Sequence, residues 1–473
     1  MLKKIDSLLY ENIPGRIISK ENITNNGYPG YDIQSRTRRG DLQRYQLFVT
    51  PFEVLVFKMS GNKDYAAGEE AKRFFSSIKL TPLPATRWTT FTAPSNLFSI
   101  QLPHTPHIGE NGSRRDISKR TEYEALDKNT GNSYMVTVFN APGNARLMED
   151  SVEMGFAEES LQQSEFVKQQ ESRKFMQHRG YPCLEIVNLN NDLSHTRTRI
   201  ILQGIHYYVI SARYKKDKNT TQAFFDSFNP AVSQYYDFSE YKDSILLFTV
   251  KTPVKPADSE EQLAELMGVG LGEEDDEDRS AYLNTARTFS SDSTGEQVTV
   301  LYNRYGKYFH IKDSAGFWKN LEAESTNDGD MILALKKYER LPGYESLLIT
   351  TRDTNCSRAL MQKSFLKNNM LYTLVAVTDT LNGPSDFVRT FFETFTPADT
   401  ANNNAIYTSK APLLFKDFYS ADSITRKQAR KRYMHVQYDD NDADTLIAML
   451  NRWTPAEKNY RTLRQGSSTS WAG

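Results

Sequence analysis

One stretch of sequence occurs three times in this chain and constrains its fold more than any other feature. Each copy opens with a proline-led tetrapeptide, followed by two apolar runs typical of strands and then by a segment with helical periodicity. The tetrapeptides are Pro29-Gly30-Tyr31-Asp32, Pro182-Cys183-Leu184-Glu185 and Pro342-Gly343-Tyr344-Glu345, and the helical segments carry Phe74-Phe75, Phe224-Phe225 and Phe391-Phe392. The repeat predicts a series of similar modules rather than one large core.

The elements of each copy are those of a mainly antiparallel sheet. Short turn sequences separate the two apolar runs, as a hairpin requires: Thr50-Pro51, Gln203-Gly204 and Asn368-Asn369. Three more strand candidates and a helix precede the second and third copies. We therefore predict an α+β fold, with tandem modules of mainly antiparallel sheet and two helices each, followed by a C-terminal all-α segment.

This pattern divides the 473 residues into four predicted regions. They are a partial first module at 1–83 that corresponds to the C-terminal half of the template, a second module at 84–232, a third at 233–399 with an acidic insertion at 253–280, and a helical segment at 400–473. The helical segment is predicted to hold one helix capped by Ser423 and a second with an apolar stripe that ends at Trp453.

Both ends of the chain lead to an expectation about its extent. By the template, the first module lacks its first three strands, which would leave a sheet edge and an apolar face uncovered. We expect an upstream segment before Met1, and an in-frame stop codon just upstream would contradict this. Two short helices seldom bury a core alone, so we expect the C-terminal helices to dock on the third module or to continue past residue 473.

Composition and charge exclude several classes of protein. The formal net charge of −1 gives no global field that would attract nucleic acid or an anionic membrane. The two cysteines, Cys183 and Cys356, lie in different copies, which excludes a disulfide framework and a CxxC motif. No apolar run approaches about 18 residues, so we predict no transmembrane segment. Residues Met1 to Gly15 contain no apolar core of a signal peptide.

The seven histidines do not predict a metal site. His104 and His107 form an HxxH pattern, but Pro103 and Pro106 exclude the helical face that would aim both rings at one ion. The other five have no acidic or cysteine partner at a recognisable spacing, and we interpret each as a surface or strand residue: His178, His195, His206, His310 and His435.

Two further features could carry chemistry, and in both the structural interpretation is favoured. Cys183 stands where the other copies have glycine, so we interpret it as a buried structural thiol at a close turn rather than a nucleophile. The acidic run 273–278 lacks the alternating spacing of a calcium loop. It also follows Gly268, Gly270 and Gly272 too closely for a phosphate site, so we interpret it as a solvated loop.

Charged residues recur at matching positions of the three copies. The carboxylates are Asp32, Glu185 and Glu345, and the basic residues near the following strand are Arg44, Arg197 and Arg358. Because the pattern recurs evenly, we interpret it as an ion pair within each module or a turn cap rather than a catalytic pair. The basic run from Arg426 to Arg432 is interpreted as a solvated helix face.

The tetrapeptide, a hairpin with an aromatic second strand and a closing Phe-Phe helix together resemble the PsbP-like α/β/α sandwich. The aromatic strands are His206-Tyr207-Tyr208 and Leu371-Tyr372, and the helices end in Phe-Phe-x-[ST]-Phe patterns such as Phe391 to Phe395. The resemblance covers residues 1–399, and tandem copies before a helical region are similar to large envelope proteins of Bacteroidota. It implies a binding or assembly module with no catalytic residues, located outside the cytoplasm, in the periplasm or at the envelope.

The favoured hypothesis is a non-enzymatic, multi-module binding or scaffold protein, whose partner is a protein or an envelope component. It includes no catalytic, cofactor-binding or metal-ligating residue. One alternative is a hydrolase or other enzyme with a site in a cleft between modules, built from His104, His107, Cys183 or the acidic loop. Convergence of two of these in a pocket would favour the enzyme. A small-ligand or lipid carrier, the second alternative, would need a cavity between sheet and helices.

Overall fold

The computed structural model describes most of the chain. The described residues are 13, 15–111, 120–140, 147–215, 218–256, 282–329, 331–399, 406–433, 436 and 438–452. The acidic loop 273–278, His435 and Trp453 lie outside them. No helix among the described residues is long and apolar enough to cross a bilayer.

The fold is α+β, as predicted, and its first sheet has four antiparallel strands that follow chain order. These are β1 (Arg16–Asn25), β2 (Tyr28–Arg36), β3 (Leu42–Val49) and β4 (Val54–Ser60), followed by helix α1 (Glu69–Ser77). Apolar residues recur at every second position of β2 and β3, so they share one face. On that face Tyr31, Ile33, Tyr45 and Leu47 form an apolar cluster.

The second sheet has seven strands and is accompanied by a small three-stranded sheet. The elements are β5 (Thr89–Thr92), β6 (Phe98–Leu102), β7 (His107–Asn111), β8 (Arg120–Asp127), β9 (Asn132–Asn140), α2 (Asp150–Gln162), β10 (Val167–His178), β11 (Tyr181–Asn190), β12 (His195–Gln203), β13 (His206–Tyr214), α3 (Lys218–Ser227) and β14 (Asn229–Pro230). The large sheet runs β10-β11-β12-β13-β9-β8-β7 and the small one β14-β6-β5. All of their strand pairs are antiparallel.

The third sheet has six strands and again a small sheet beside it. The elements are β15 (Ser239–Asp243), β16 (Phe248–Thr252), β17 (Tyr282–Ser290), β18 (Gln297–Tyr305), α4 (Ser314–Ser325), β19 (Ile332–Leu341), β20 (Tyr344–Arg352), β21 (Arg358–Lys367), β22 (Met370–Asp379), α5 (Asp386–Thr394) and β23 (Thr396–Pro397). The large sheet runs β17-β18-β22-β21-β20-β19, which matches β8-β9-β13-β12-β11-β10 of the second sheet.

Apolar clusters lie on both faces of the second and third sheets. In the second sheet one cluster joins the strands to α3 and the small sheet, and the other joins them to α2. The third sheet has the same arrangement with α5 and its small sheet on one face and α4 on the other. Each of these sheets is therefore the middle layer of three, because both of its faces are covered by apolar packing.

The C-terminal segment contains three described helices rather than the predicted two: α6 (Ala411–Phe418), α7 (Ser423–Arg432) and α8 (Ala443–Arg452). Their cluster includes Tyr308, which follows β18, so the helices dock on the third sheet. Helix α7 is capped by Asp422 rather than Ser423, since the Asp422 carboxylate accepts from Thr425 N at 2.7 Å. Its basic face is only partly solvated, because the Arg430 guanidinium lies 4.9 Å from the Phe418 ring.

The predicted alignment of the three tetrapeptides is wrong for the third copy by three residues. Glycines with positive φ mark the turn before each strand, at Gly27, Gly180 and Gly343. In the first two copies the tetrapeptide follows that turn and lies inside β2 or β11, whereas Pro342 and Gly343 are themselves the turn. The residue that corresponds to Asp32 and Glu185 is therefore Leu348, not Glu345.

Cys183 is buried, as predicted, but it does not lie at a turn. It pairs with Ile201 in the middle of the sheet, and its counterparts are Gly30 and Ser346. At Gly30 a Cβ would lie 2.1 Å from the backbone oxygen of Leu47, so the first sheet needs glycine there, whereas the second and third sheets hold a small thiol and a hydroxyl.

A buried tyrosine hydroxyl joins each small sheet to its large sheet. Tyr208 of β13 donates to Leu97 O at 3.2 Å, and Tyr372 of β22 donates to Leu246 O at 2.7 Å. Both tyrosines are fully buried. Leu97 O also accepts from Ala231 N at 2.8 Å, so the Tyr372 hydroxyl is the one whose removal takes the donor from a carbonyl, Leu246 O. Losing the donor of a buried carbonyl costs more than the net value of the bond.

We expect Tyr372→Phe to lower the free energy of unfolding by about 1–2 kcal/mol. Urea denaturation followed by far-ultraviolet circular dichroism measures this. Tyr302→Phe is the matched control, because Tyr302 packs against Tyr372 and its hydroxyl makes no hydrogen bond with the described residues. An equal loss in both variants would contradict the role assigned to the Tyr372 hydroxyl.

Candidate functional site

The sequence candidates for catalysis lie apart in the structure. His104 and His107 are exposed, and the ring nitrogens of His104 contact backbone atoms of Thr105 and Leu126. Cys183 is enclosed in the core beneath α3, where burial raises the pKa of its thiol to about 12. No group of three His, Cys, Asp or Glu side chains in the described ranges could hold a metal ion.

Two strand histidines are buried and bonded to backbone oxygens. His178 Nε2 lies 2.9 Å from Phe228 O, and His206 Nε2 lies 2.8 Å from Thr294 O. Burial lowers the pKa of both imidazoles, because the charged form loses hydration. The contact of His206 also connects two sheets, because Thr294 belongs to the turn before β18 of the third sheet.

The other two described histidines have carboxylate neighbours that sequence spacing did not reveal. His195, on β12, lies 3.4 Å from Glu171. His310 lies 3.5 Å from Asp439 and is buried outside any strand, so its interpretation as a surface or strand residue is wrong. Glu171 lies on β10, which is separated from β12 by β11, and Asp439 is distant from His310 in the sequence.

The predicted ion pair within each copy forms in two of the three. These pairs are Arg44–Asp32 at 2.7 Å and Arg197–Glu185 at 2.6 Å. For the third copy the prediction is wrong, because Glu345 lies three positions earlier in its strand and pairs with Arg340 at 2.6 Å. Arg358 instead finds its partners on the second sheet.

Arg358 is the centre of a buried contact between the second and third sheets, which we call the junction. Its guanidinium, with the side chain 1% exposed, lies 2.7 Å from Glu153 of α2. Nη1 also donates to the Tyr207 hydroxyl at 3.1 Å, and that hydroxyl donates to Glu153 at 2.5 Å. The three side chains therefore form a closed charged cluster that includes one residue of the third sheet, one of the second sheet and one of helix α2.

The electrostatics of this cluster favour its charged form. Burial alone would lower the pKa of Arg358, but the neighbouring Tyr207 and Glu153 outweigh it and raise that pKa. Burial and Glu153 likewise raise the pKa of Tyr207, so its hydroxyl keeps the proton that it donates. Removing one partner of such a buried pair leaves an uncompensated charge, which typically costs about 3–5 kcal/mol.

Further polar contacts surround this cluster. Asp150, at the start of α2, accepts from both N and Oγ of Ser357 at 2.9 and 3.0 Å. Burial raises the pKa of Asp150, and the Ser357 hydrogen bonds oppose that shift. The first turn of α2 is thus bonded to the segment that leads into β21, one residue before Arg358.

A tyrosine of the second sheet meets the end of β22. Gln203 donates to the Tyr181 hydroxyl at 2.9 Å, and that hydroxyl donates to Asp379 at 3.0 Å. Asn382 also contacts the same hydroxyl. Burial and Asp379 raise the pKa of Tyr181 to about 12, so the phenol stays protonated at neutral pH.

The turn before β18 fits closely against the second sheet. Thr294 O accepts from Asn140 Nδ2 at 3.3 Å in addition to its contact with His206. Gly295 has φ +75°, and a Cβ there would lie 1.8 Å from Asn140 Nδ2. An apolar cluster that includes Leu147 and Cys356 completes the contact.

The corresponding turn of the second sheet meets the first sheet in the same way. Gly131 corresponds to Gly295, since each donates its N–H to the residue four positions earlier at 2.7 Å. A Cβ on Gly131 would lie 2.2 Å from the backbone oxygen of Pro51. The sequence signal for both contacts is a Thr-Gly pair at the end of a four-residue turn, which the sequence analysis did not use.

Two concave regions can be compared with the size of a ligand site. One, of about 30 Å³, lies in the junction beside Gly204, His206 and Glu296, and is large enough for one water molecule. The other, of about 320 Å³, lies between α6 and α8 and is lined by residues such as Phe415 and Arg452. His104, His107 and Cys183 line neither region.

The chain has weak similarity to known proteins. No family model and no curated protein matches it. A solved structure of PsbP (CyanoP) from Synechocystis sp. PCC 6803 is 11% identical, covering 33% of this chain and 99% of that one, with a TM-score of 0.24. A Bacteroides thetaiotaomicron protein is 10% identical over 45% and 85% of the two chains, with a TM-score of 0.22. MucB bound to MucA is 8% identical over 62% and 92%, with a TM-score of 0.11.

These TM-scores are too low to support an argument about fold or function. The α+β class rests on the observed strands and helices, and the PsbP-like resemblance stays a prediction. The boundaries of the predicted modules also stay a prediction.

We expect Arg358→Met to lower the free energy of unfolding by about 3–5 kcal/mol, because it leaves Glu153 buried without its counter-charge. Urea denaturation measures this. Arg389→Met is the control: Arg389 pairs with Asp386 on the exposed face of α5, and loss of such a pair costs about 0–1 kcal/mol. A similar cost for the two variants would show that the junction pair does not hold the sheets together.

The fit of the turn at Thr294 can be tested with a second pair of variants. Gly295→Ala and Gly343→Ala both place a side chain at positive φ, which costs about 1–2 kcal/mol. Only Gly295 has a neighbour in the way, so Gly295→Ala should cost at least about 1 kcal/mol more, from crowding against Asn140. Equal thermal stability of the two variants would contradict a close fit.

Proposed function

We propose that the protein is a non-enzymatic, multi-module binding or scaffold protein whose partner is a protein or an envelope component. The observation that carries this proposal is the junction. Its Arg358, Glu153 and Tyr207 side chains are buried and bonded to one another, so they are used to fix two sheets rather than offered to a substrate. A fixed pair of sheets presents its surfaces at a constant spacing, which suits a partner that contacts both.

The sizes of the concave regions support the same proposal. Pockets for small ligands are usually about 300–1,000 Å³. The region in the junction is about 30 Å³, although that is where an enzyme between modules would need its site. The region of about 320 Å³ lies between two helices, not between sheet and helices as the carrier hypothesis requires.

Exposed apolar side chains on a strand at the edge of the third sheet give further support. Strand β19 has Ile332, Leu335 and Tyr338 exposed, whereas β10, its counterpart in the second sheet, exposes mainly polar and charged side chains. Sheet edges that avoid pairing with other chains usually carry charged side chains, whereas exposed apolar side chains are typical of protein–protein contacts.

The location that accompanies this proposal is extracytoplasmic, in the periplasm or at the envelope. It follows from the PsbP-like resemblance, not from the solved structures reported above. The location is tested by fractionating cells of the native host and probing each fraction with an antibody against the chain. Recovery in the cytoplasmic fraction alone would contradict it.

Binding through two sheets makes a measurable prediction. A partner captured from the host envelope fraction should bind Glu153→Ala at least about tenfold more weakly than the wild type, since loss of fixed spacing lowers effective concentration. Glu159→Ala, an exposed change on the same helix, is the control and should bind as the wild type does.

The enzyme alternative is tested in parallel with chromogenic ester, phosphate, peptide and glycoside substrates. We expect no turnover above that of heat-denatured protein. Turnover that is lost in Cys183→Ser or His104→Ala would overturn the proposed function.

A further inference from the structure

Strand β19 lies at the end of the third sheet and, among the described residues, pairs only with β20. Its counterparts β10 and β1 also lie at the end of their sheets, so an open edge at this place is a feature of every copy. A bulge between Leu333 and Leu335 interrupts the pairing of β19 near its start, and the strand ends at Leu341. We call the outer side of residues 335–341 the β19 edge.

One face of the β19 edge has an apolar residue at each end and opposite charges between them. Leu335, Lys337, Glu339 and Leu341 lie at alternate positions of the strand and therefore share a face. The two leucines are 50% and 38% exposed. Lys337 Nζ lies 2.6 Å from the Glu339 carboxylate, and both side chains are accessible to solvent. Read in reverse, this face is complementary to itself.

Antiparallel pairing of two identical edges obeys two-fold symmetry, so the residues that face each other are equally distant from the axis. With the axis at Tyr338, Leu335 faces Leu341 of a second copy and Lys337 faces Glu339. Moving the axis by one residue would place Lys337 opposite Lys337, or Glu339 opposite Glu339. Like charges directly opposite each other are destabilising, so the charges select the register centred on Tyr338.

The other face of the β19 edge is compatible with this register. Tyr338 is 43% exposed and would face its own copy, and aromatic cross-strand pairs are stabilising. Lys336 and Arg340 would face each other across the axis. Each of them already has a carboxylate partner, since Lys336 lies 2.5 Å from Glu322 and Arg340 lies 2.6 Å from Glu345. Their charges are therefore compensated within each copy.

The corresponding edges of the other two sheets lack the self-complementary pattern. All three strands end at a two-residue turn, which aligns them residue by residue. In neither β10 nor β1 would two-fold pairing bring opposite charges together at the positions of Lys337 and Glu339. The corresponding residues, counted back from the turn, are Lys174 and Met176 in β10 and Glu21 and Ile23 in β1.

We infer that the β19 edge pairs with the β19 edge of a second copy of this chain, as antiparallel strands related by a two-fold axis at Tyr338. The six-stranded sheet of one copy then continues into that of the other. The inference goes beyond the proposed function, because it concerns the assembly of the chain and not its partner. A dimer doubles the module surfaces offered to that partner, which raises the effective concentration of the second contact.

Sedimentation velocity across a concentration series tests for the dimer, and hydrogen exchange of residues 335–341 locates the contact. We expect a reversible equilibrium of monomer and dimer, with slower exchange in β19 when the dimer is populated. A monomer at every concentration would overturn the inference. Slow exchange in β19 of the monomer would also overturn it, since another segment of the same chain would then cover the edge.

Charge substitutions at the β19 edge test the register. Glu339→Lys and Lys337→Glu should each raise the dissociation constant of the dimer at least about tenfold, because the two-fold axis makes each substitution oppose like charges twice. Lys174→Glu, at the matched position of β10, is the control and should leave the dimer unchanged. A dimer that is insensitive to Glu339→Lys, or equally sensitive to Lys174→Glu, would contradict pairing at this edge.

A mixture of the two edge variants separates contact between copies from contact within one chain. Both variants lose the internal pair of Lys337 with Glu339. In an equimolar mixture of Glu339→Lys and Lys337→Glu, opposite charges again face each other between the two chains. We therefore expect a heterodimer about as tight as the wild-type dimer. Failure of the mixture to associate would overturn the proposed register.

These experiments distinguish the inference from the proposed function. If the chain stays a monomer but still captures a partner from the host, the binding function stands and the dimer assignment falls. If the wild type shows turnover while the charge variants dissociate the dimer as expected, the proposed function falls and the β19 assignment stands.

Discussion

The buried cluster of Arg358, Glu153 and Tyr207 is the interaction on which the arrangement of the second and third sheets depends. A guanidinium with 1% of its side chain exposed is stable there because a carboxylate from α2 and a phenol from the second sheet surround it. Because charge is matched across the contact, separating the sheets would leave both partners without compensation. The hydrogen bonds of Asp150 with Ser357 and of Tyr181 with Asp379 cross the same contact and also hold the two sheets together.

The sequence predicted the fold class well and the site poorly, and the reason is physical. Repeated strands and Phe-Phe helices follow from periodicity, which is local. The role of Arg358 is not local: its position suggested Glu345, but its partner Glu153 is distant in the chain. The three-residue misalignment of the third copy had a similar cause, since Pro342 and Gly343 form the turn that Gly27 and Gly180 form elsewhere.

The three sheets also differ in what they leave open. The second and third are covered on both faces, so the geometry that they share serves packing. Among the described residues, β4 of the first sheet exposes Val54 and Val56, and β19 exposes apolar side chains at the edge of the third sheet. A rigid core with open edges is the physical basis of the proposed binding role. The strands, turns and Phe-Phe helices that recur in the three copies are features that the fold requires. We therefore expect function where the copies differ.

The most direct test of the junction uses the two cysteines that the chain already carries. Cys356 lies in the junction and Cys183 in the second sheet's core, and burial raises the pKa of both thiols. In native protein at pH 8, both should react slowly with iodoacetamide. Mass spectrometry of Glu153→Ala should show Cys356 alkylated at least about tenfold faster, with Cys183 unchanged, as local opening predicts. Equal acceleration of both thiols, or of neither, would contradict the central role of this buried pair.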